Sequence, residues 1–184
     1  MGYKYKYENA IDEHGVTTQE FTIWNNLKQR VGKGLYTNVS ISEEFMDFEL
    51  WLEWSKEQIG FMSRDVNNNL FQMDKDILSY GRGSKYSKDM CVYVPPCINT
   101  LCRRHKGDLP RGVYYDSRKK KKPYRVKATF NNVSFSGGYH STIESASAKY
   151  REFREHHINT LMNIYKDDVD PRVWCAIRDD IWYT

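Results

Sequence analysis

An α+β fold is predicted by three patterns in the sequence. Residues 124–130 (YRVKATF) alternate as a strand does, with Tyr124, Val126, Ala128 and Phe130 on one face and Arg125, Lys127 and Thr129 on the other. A capping box, Ser141-Thr142-Ile143-Glu144, then opens a long helix that places Ile143, Ala146, Tyr150, Phe153, Ile158 and Leu161 on one side. Upstream, residues 73–105 read as a strand, a Gly-broken loop, a second strand and a helix begun by proline.

Each element has a local reason. Residues 1–16 alternate Tyr with Lys and then turn polar, which suits a strand or a mobile arm. Thr17-Thr18-Gln19-Glu20 has the capping-box form, and Phe21, Trp24, Leu27 and Val31 follow at helical spacing until Gly32 and Gly34 stop the run. Residues 36–41 suit a short strand. Ser40-Ile41-Ser42-Glu43 caps a second helix, with Phe45, Phe48 and Leu52 on one face and Trp51 and Trp54 beside it; these rings are expected in a core. Asn67, Asn68 and Asn69 make a turn before the 73–95 hairpin, and Pro95 and Pro96 precede a helix bearing Cys97, Ile98, Leu101 and Cys102. Residues 106–110 (KGDLP) are the best linker candidate. Residues 112–116 form a strand, Asn131 and Asn132 turn, and 133–136 alternate again. Three strands backed by one amphipathic helix make a two-layer module with Arg125, Lys127 and Thr129 facing out. Asp170-Pro171 starts a last helix along Val173, Trp174, Ile177 and Ile181. The expected organisation is an arm at 1–16, a first module at 17–105, a linker at 106–110, a second module at 111–165 and a terminal helix within 166–184.

Composition narrows the function classes. Fourteen Tyr and five Trp in 184 residues suit small modules held by large rings. No apolar run approaches the ~18 residues of a membrane span, and residues 1–10 lack a signal-peptide core, so a soluble cytoplasmic protein with no membrane partner is expected. The net charge is +4. Residues 101–130 hold eleven Lys/Arg against Asp108 and Asp116, which is +9 and leaves −5 elsewhere. Positive charge concentrated in this way is the footprint of phosphate-backbone binding. On the predicted sheet, Arg125 can reach guanine edges in the major groove while Lys119, Lys120, Lys121 and Lys122 lie against phosphates. Double-stranded DNA is therefore the expected partner. Cys91, Cys97, Cys102 and His105 are separated by five, four and two residues, a spacing that matches no common zinc knuckle, so no zinc is expected.

Residues 110 to about 165, through "RGVYY", "YRVKATF" and "SGGYHSTIESA", resemble the AP2-type DNA-binding domain of plant factors and phage nucleases. The resemblance implies that Arg111, Tyr114, Arg125, Lys127, Thr129, Ser134 and Ser136 face DNA. His140 and Gly137 stand where that family usually has large apolar residues, and the third strand offers serines where Arg and Trp are common. Residues 20–105, through "WNNLKQR", "VSISEEFMDFELWLEW", "MDKDILSYGRGSKYSKDMCVYVP" and "IN", resemble the central part of phage HNH-type proteins, the homing endonucleases. The resemblances together imply an HNH-like helix/hairpin/helix module followed by an AP2-like three-stranded antiparallel sheet packed on one long helix. If the chain is phage-encoded, its compartment is the host bacterial cytoplasm.

The HNH resemblance also implies a site. Asp74 stands at a metal-ligand position, Asn99 near the second ligand, and Mg²⁺ is the cation their oxygens suit. The position of the general base holds Lys75, and a protonated lysine cannot accept a proton from water. Three readings stand: Lys75 acts as a neutral amine, Asp76 serves as the base of a slow nickase, or Asp74 and Asp76 cap a turn in a module without chemistry. The expected function is a phage-type double-stranded DNA-binding protein with a degenerate nuclease module. The alternatives are an active Mg²⁺-dependent site-specific endonuclease or nickase, and an inhibitor that binds a host protein.

Overall fold

The computed structural model describes residues 6–103 and 105–182, which form an α+β structure. The helix α1 (Gln19–Arg30) begins one residue later than the box at 17–20 implies, with the cap on Thr18: its hydroxyl accepts the Phe21 N–H at 3.3 Å. Phe21, Trp24 and Leu27 are buried along one stripe. The segment before α1 is not an arm over residues 6–16. Tyr7 is buried, with its ring edge-on to Trp24 and Phe48 at 5.3 and 5.6 Å, and Ile11 bridges Thr17 in antiparallel fashion. Residues 1–5 of the predicted arm lie outside the described residues.

The second helix divides into two. The short α2 (Glu43–Met46) ends at Asp47, whose backbone is extended, and α3 (Phe48–Lys56) starts afresh. The Asp47 carboxylate accepts the N–H groups of Glu49 and Leu50 at 2.9 and 3.3 Å, and an aspartate that caps this way competes with helix continuation. Phe45, Phe48, Trp51, Leu52 and Trp54 are all buried, because the break turns both pieces inward. The strand expected at 36–41 contracts to β1 (Ser40–Ile41), following a 3-10 turn at Gly34–Tyr36.

The strand–loop–strand–helix unit is present. Strand β2 (Gln72–Asp74) pairs antiparallel with β4 (Val92–Val94), Asp74 opposite Val92; β3 (Lys85–Tyr86), in the intervening loop, pairs parallel with β1. Pro96 opens α4 (Pro96–Leu101). Tyr93 Oη lies 2.9 Å from Ser55 Oγ and fastens β4 to α3.

Downstream, β5 (Val113–Tyr115), β6 (Tyr124–Phe130) and β7 (Val133–His140) form an antiparallel meander in the order β5-β6-β7. Its apolar face carries Val113, Val126, Ala128 and Phe130 against α5 (Ile143–Tyr165), whose cap is Thr142. Gly112 has φ +76°, and a Cβ there would enter the Tyr150 ring, so only glycine admits β5 this close to α5. The last helix, α6 (Pro171–Ala176), buries Val173, Trp174 and Ala176, with Ile177 just beyond, and packs on α5, where Arg178 reaches Glu155 and Asn159 at 2.8 and 2.7 Å. The buried apolar residues make one cluster that runs through both predicted modules. No helix among the described residues is long and apolar enough to cross a membrane.

The inner stripe of α5 is Ala146, Tyr150, Arg154, Ile158, Leu161 and Tyr165. Arg154 is fully buried and donates to Leu101 O at 3.0 Å and to Ile177 O at 3.1 Å, joining the end of α4 to the end of α6. Arg154→Leu leaves both carbonyls without this donor, and we expect a loss of about 3 kcal/mol or more in urea unfolding. Half-way down the same helix His157 stacks on Phe130 at 4.5 Å. Burial, with the nearby charges of Arg154 and His156, lowers its pKa below the ordinary 6.5. The neutral ring therefore contributes stability that is full above 6.5 and is lost as pH falls through the lowered value. His157→Phe is expected to shrink the drop in Tm between pH 7 and pH 5, read by thermal unfolding at both.

Candidate functional site

Two places carry the residues singled out by sequence. The first is the outward face of the sheet. Directly opposed residues of antiparallel strands share a face, so the register builds three rows: Tyr114, Arg125 and Tyr139; then Lys127 and Ser136; then Thr129 and Ser134. Tyr114, Lys127, Thr129, Ser134 and Ser136 are exposed, and Arg125 is half-buried among them. Thr129 Oγ1 and Ser134 Oγ lie 3.2 Å apart.

Tyr139 was not foreseen. Strict alternation from Ser134 and Ser136 runs on to Gly138 and His140 and turns Tyr139 inward. A β-bulge shifts the register between Val126 and Lys127, so that Lys127 faces Ser136 while Val126 faces Gly138. Gly137 is the extra residue, and the phase beyond it reverses. Tyr139 thereby comes beneath the Arg125 guanidinium at 5.9 Å and the Lys119 ammonium at 5.6 Å, both measured to its ring centre. The sequence signal was the Gly137-Gly138 pair, which marks a bulge inside a strand pattern.

The Tyr139 hydroxyl donates to Asp116 at 3.2 Å, and Asp116 also accepts a two-pronged contact from Arg118 at 2.8 and 2.9 Å. Hydrogen bonds from Arg118 hold the Asp116 carboxyl well below the usual carboxylate range. Within the basic loop Arg118 is thus matched by a fixed anion, while Lys119, Lys120, Lys121 and Lys122 are exposed. Arg111 takes a different course from its expected companions. It is half-buried and donates to Leu101 O at 3.2 Å, the carbonyl that Arg154 also holds, and burial lowers its pKa.

The second place is the turn after β2. Asp74, 9% exposed, accepts the N–H groups of Asp76 and Ile77 on one oxygen, each at 2.7 Å, and closes the turn; burial pushes its carboxyl pKa up. Lys75 is buried. Its ammonium donates to Asp76 Oδ1 at 2.6 Å and to Gly83 O at 2.9 Å, and sits 5.6 Å from the Tyr86 ring centre. A Cβ on Gly83 would fall 2.5 Å from Lys75 O, so the loop is drawn tightly over the lysine. Asn99, on α4, donates its amide to Gln72 Oε1 at 2.9 Å, and Gln72 lies two residues before Asp74 on the same strand.

Mg²⁺ retains several waters and needs carboxylate oxygens open to them. Asp74 has one oxygen turned to the backbone and little exposure, which leaves it poorly open to a hydrated ion, while Asn99 meets Gln72 through its amide nitrogen and not through the oxygen that would ligate a cation. Among the described residues no three or more His, Cys, Asp or Glu side chains gather in a way that could hold a metal.

The geometry gives the turn a structural role that can be measured. Lys75→Met removes the donor to Gly83 O and the partner of Asp76, and is expected to cost about 2–3 kcal/mol in urea unfolding, less than a fully buried pair because Asp76 is partly exposed. An unchanged midpoint would contradict that role. Comparison of the chain with protein-family models, with curated proteins and with solved structures finds no match in any of the three.

Proposed function

We propose that the chain binds double-stranded DNA through the outward face of the β5-β6-β7 sheet, and that its hairpin unit is a nuclease-type scaffold without chemistry. The observation that carries the first part is the alignment of Arg125 and Lys127 on one exposed face, flanked by the loop of Lys119, Lys120, Lys121 and Lys122. Such a face offers two kinds of contact. The loop lysines neutralise phosphates and release counterions, which supplies affinity without sequence preference. The three-stranded ribbon presents a guanidinium and hydroxyls, groups able to meet base edges in the major groove. Tyr139 and Asp116 help by restricting where Arg125, Arg118 and Lys119 can point, so less side-chain freedom is lost on binding.

The second part is supported by the turn after β2. Where a nuclease of HNH type needs a base, Lys75 is buried and donates two hydrogen bonds, and Asp74 caps the turn. A second reading, a Mg²⁺-dependent endonuclease or nickase, is favoured by one observation: β2, β4 and α4 follow in the order strand, loop, strand, helix, with Asp74 closing the first strand and Asn99 on the helix.

One experiment separates them. In a gel-shift titration from low to high salt, Arg125→Ala with Lys127→Ala is expected to weaken duplex binding and to flatten the slope of log K against log salt by about 1–2. An unchanged slope would remove the sheet face from the account. The same protein, in excess over supercoiled plasmid with Mg²⁺ or Mn²⁺, is expected to leave it intact. Nicking that disappears in Asp74→Ala would instead establish the endonuclease.

A further inference from the structure

Beside the cationic face lies a second concavity. A cleft of about 1080 Å³ separates the turn at residues 65–69 and α4 from β6, the turn at Asn131 and Asn132, and α5. Its lining is cationic. Arg103, Lys106, Arg111 and Lys127 stand against Asp65, four charges to one, for a formal +3. Asp65 is already occupied: its carboxylate accepts the N–H groups of Asn67 and Asn69 at 2.9 and 2.8 Å and the Asn69 amide at 3.1 Å. Arg103, Lys106 and Lys127 are exposed, and among the described residues none of them forms an ion pair. Cations that outnumber the anions around a concavity raise the potential inside it and draw polyanions.

Shape and chemistry narrow the choice of polyanion. Pockets of roughly 300–1,000 Å³ enclose one drug-sized molecule, so this cleft has room for a short single strand and none for a duplex. Tyr114, 54% exposed, offers an open ring on the lining. Phe130 and His157, stacked on each other, add further ring surface to the lining. The exposed amides of Asn131 and Asn132 have both donors and acceptors for the edge of an unpaired base. A groove of cations lined by rings and amides is the arrangement that holds single-stranded nucleic acid. Moreover, Tyr114, Lys127 and Thr129 belong to both the cleft and the sheet face. A strand leaving a duplex on that face meets the cleft at these shared residues, Lys127 among them.

We propose that the cleft receives single-stranded DNA leading off a duplex held on the sheet face, so that the chain favours a junction between double and single strand. The duplex half of this statement rests on the function proposed above, and the cleft half does not. Phosphates of the single strand follow Arg103, Lys106 and Lys127, and one unpaired base stacks on Tyr114.

Fluorescence anisotropy of the full chain with three labelled DNAs at one salt concentration tests it: a blunt duplex, the same duplex with a short overhang, and the overhang strand alone. The overhang is expected to tighten binding about tenfold over the blunt duplex. Arg103→Ala with Lys106→Ala should erase that gain and leave the blunt duplex within about twofold, while Arg125→Ala with Lys127→Ala should weaken the blunt duplex. Both substituted residues in the cleft variant are exposed, so its fold is retained, and circular dichroism checks this. No gain from the overhang, or an equal loss on blunt and overhang DNA in the cleft variant, overturns the proposal. If the blunt duplex fails to bind while the single strand binds through Arg103 and Lys106, the duplex reading falls and the cleft assignment stands.

Discussion

Midway along α5, where a helix backed onto a sheet ordinarily presents an apolar side chain, Arg154 is fully buried with its N–H groups on Leu101 O and Ile177 O. Burying a guanidinium is unfavourable unless its donors are met. Few arrangements of α4, α5 and α6 bring two carbonyls to its terminal nitrogens, so the side chain restricts how the hairpin unit, the sheet layer and the terminal helix are set against one another. Arg111, at the entrance to β5, adds another N–H to Leu101 O. One carbonyl at the end of α4 thus receives guanidinium groups from two other elements. The same contacts bear on the cleft, since both α4 and α5 line it.

With the frame held there, the outward face of the sheet is left to solvent. Its chemistry depends on one irregularity. The bulge at Gly137 brings Tyr139 beneath Arg125 and Lys119, and the hydroxyl of Tyr139 reaches Asp116. Without the extra residue that ring would lie on the buried side and Asp116 would lose a contact from the sheet. The basic loop is tied to the sheet by hydrogen bonds and ring contacts, although nearly every residue in it is charged.

The turn after β2 shows the opposite use of charge. Lys75 is drawn under the loop by Gly83 O and Asp76, and Asp74 closes the turn through backbone N–H groups. Three ionisable residues in sequence make a compact structural knot. The Lys75 ammonium is held as a donor where a base would have to accept, and one Asp74 oxygen is taken by backbone N–H groups; this is the physical tension between the two functional readings.

Much of the local structure was readable in the residues. The alternation in β6 reports burial on one side only, and the capping boxes at 17–20 and 141–144 located two helices to within a residue of their observed caps, Thr18 and Thr142. The break at Asp47 was missed because an aspartate's carboxylate can point to solvent or cap a new helix, and the choice depends on packing around Phe45 and Phe48. Arg154 was missed because a cation at an apolar spacing reads as an exception until its distant carbonyls are known. The residues alone marked most of the helices and strands, their apolar faces, and the cations that collect between residues 101 and 130. Long-range packing is what turns Arg111 inward, brings Tyr139 to the outer face, buries Lys75 and sets a cationic cleft beside the sheet. The reason is physical: periodicity records the burial of a side chain within its own element, whereas a hydrogen-bond partner or a cavity wall is supplied by atoms remote along the chain.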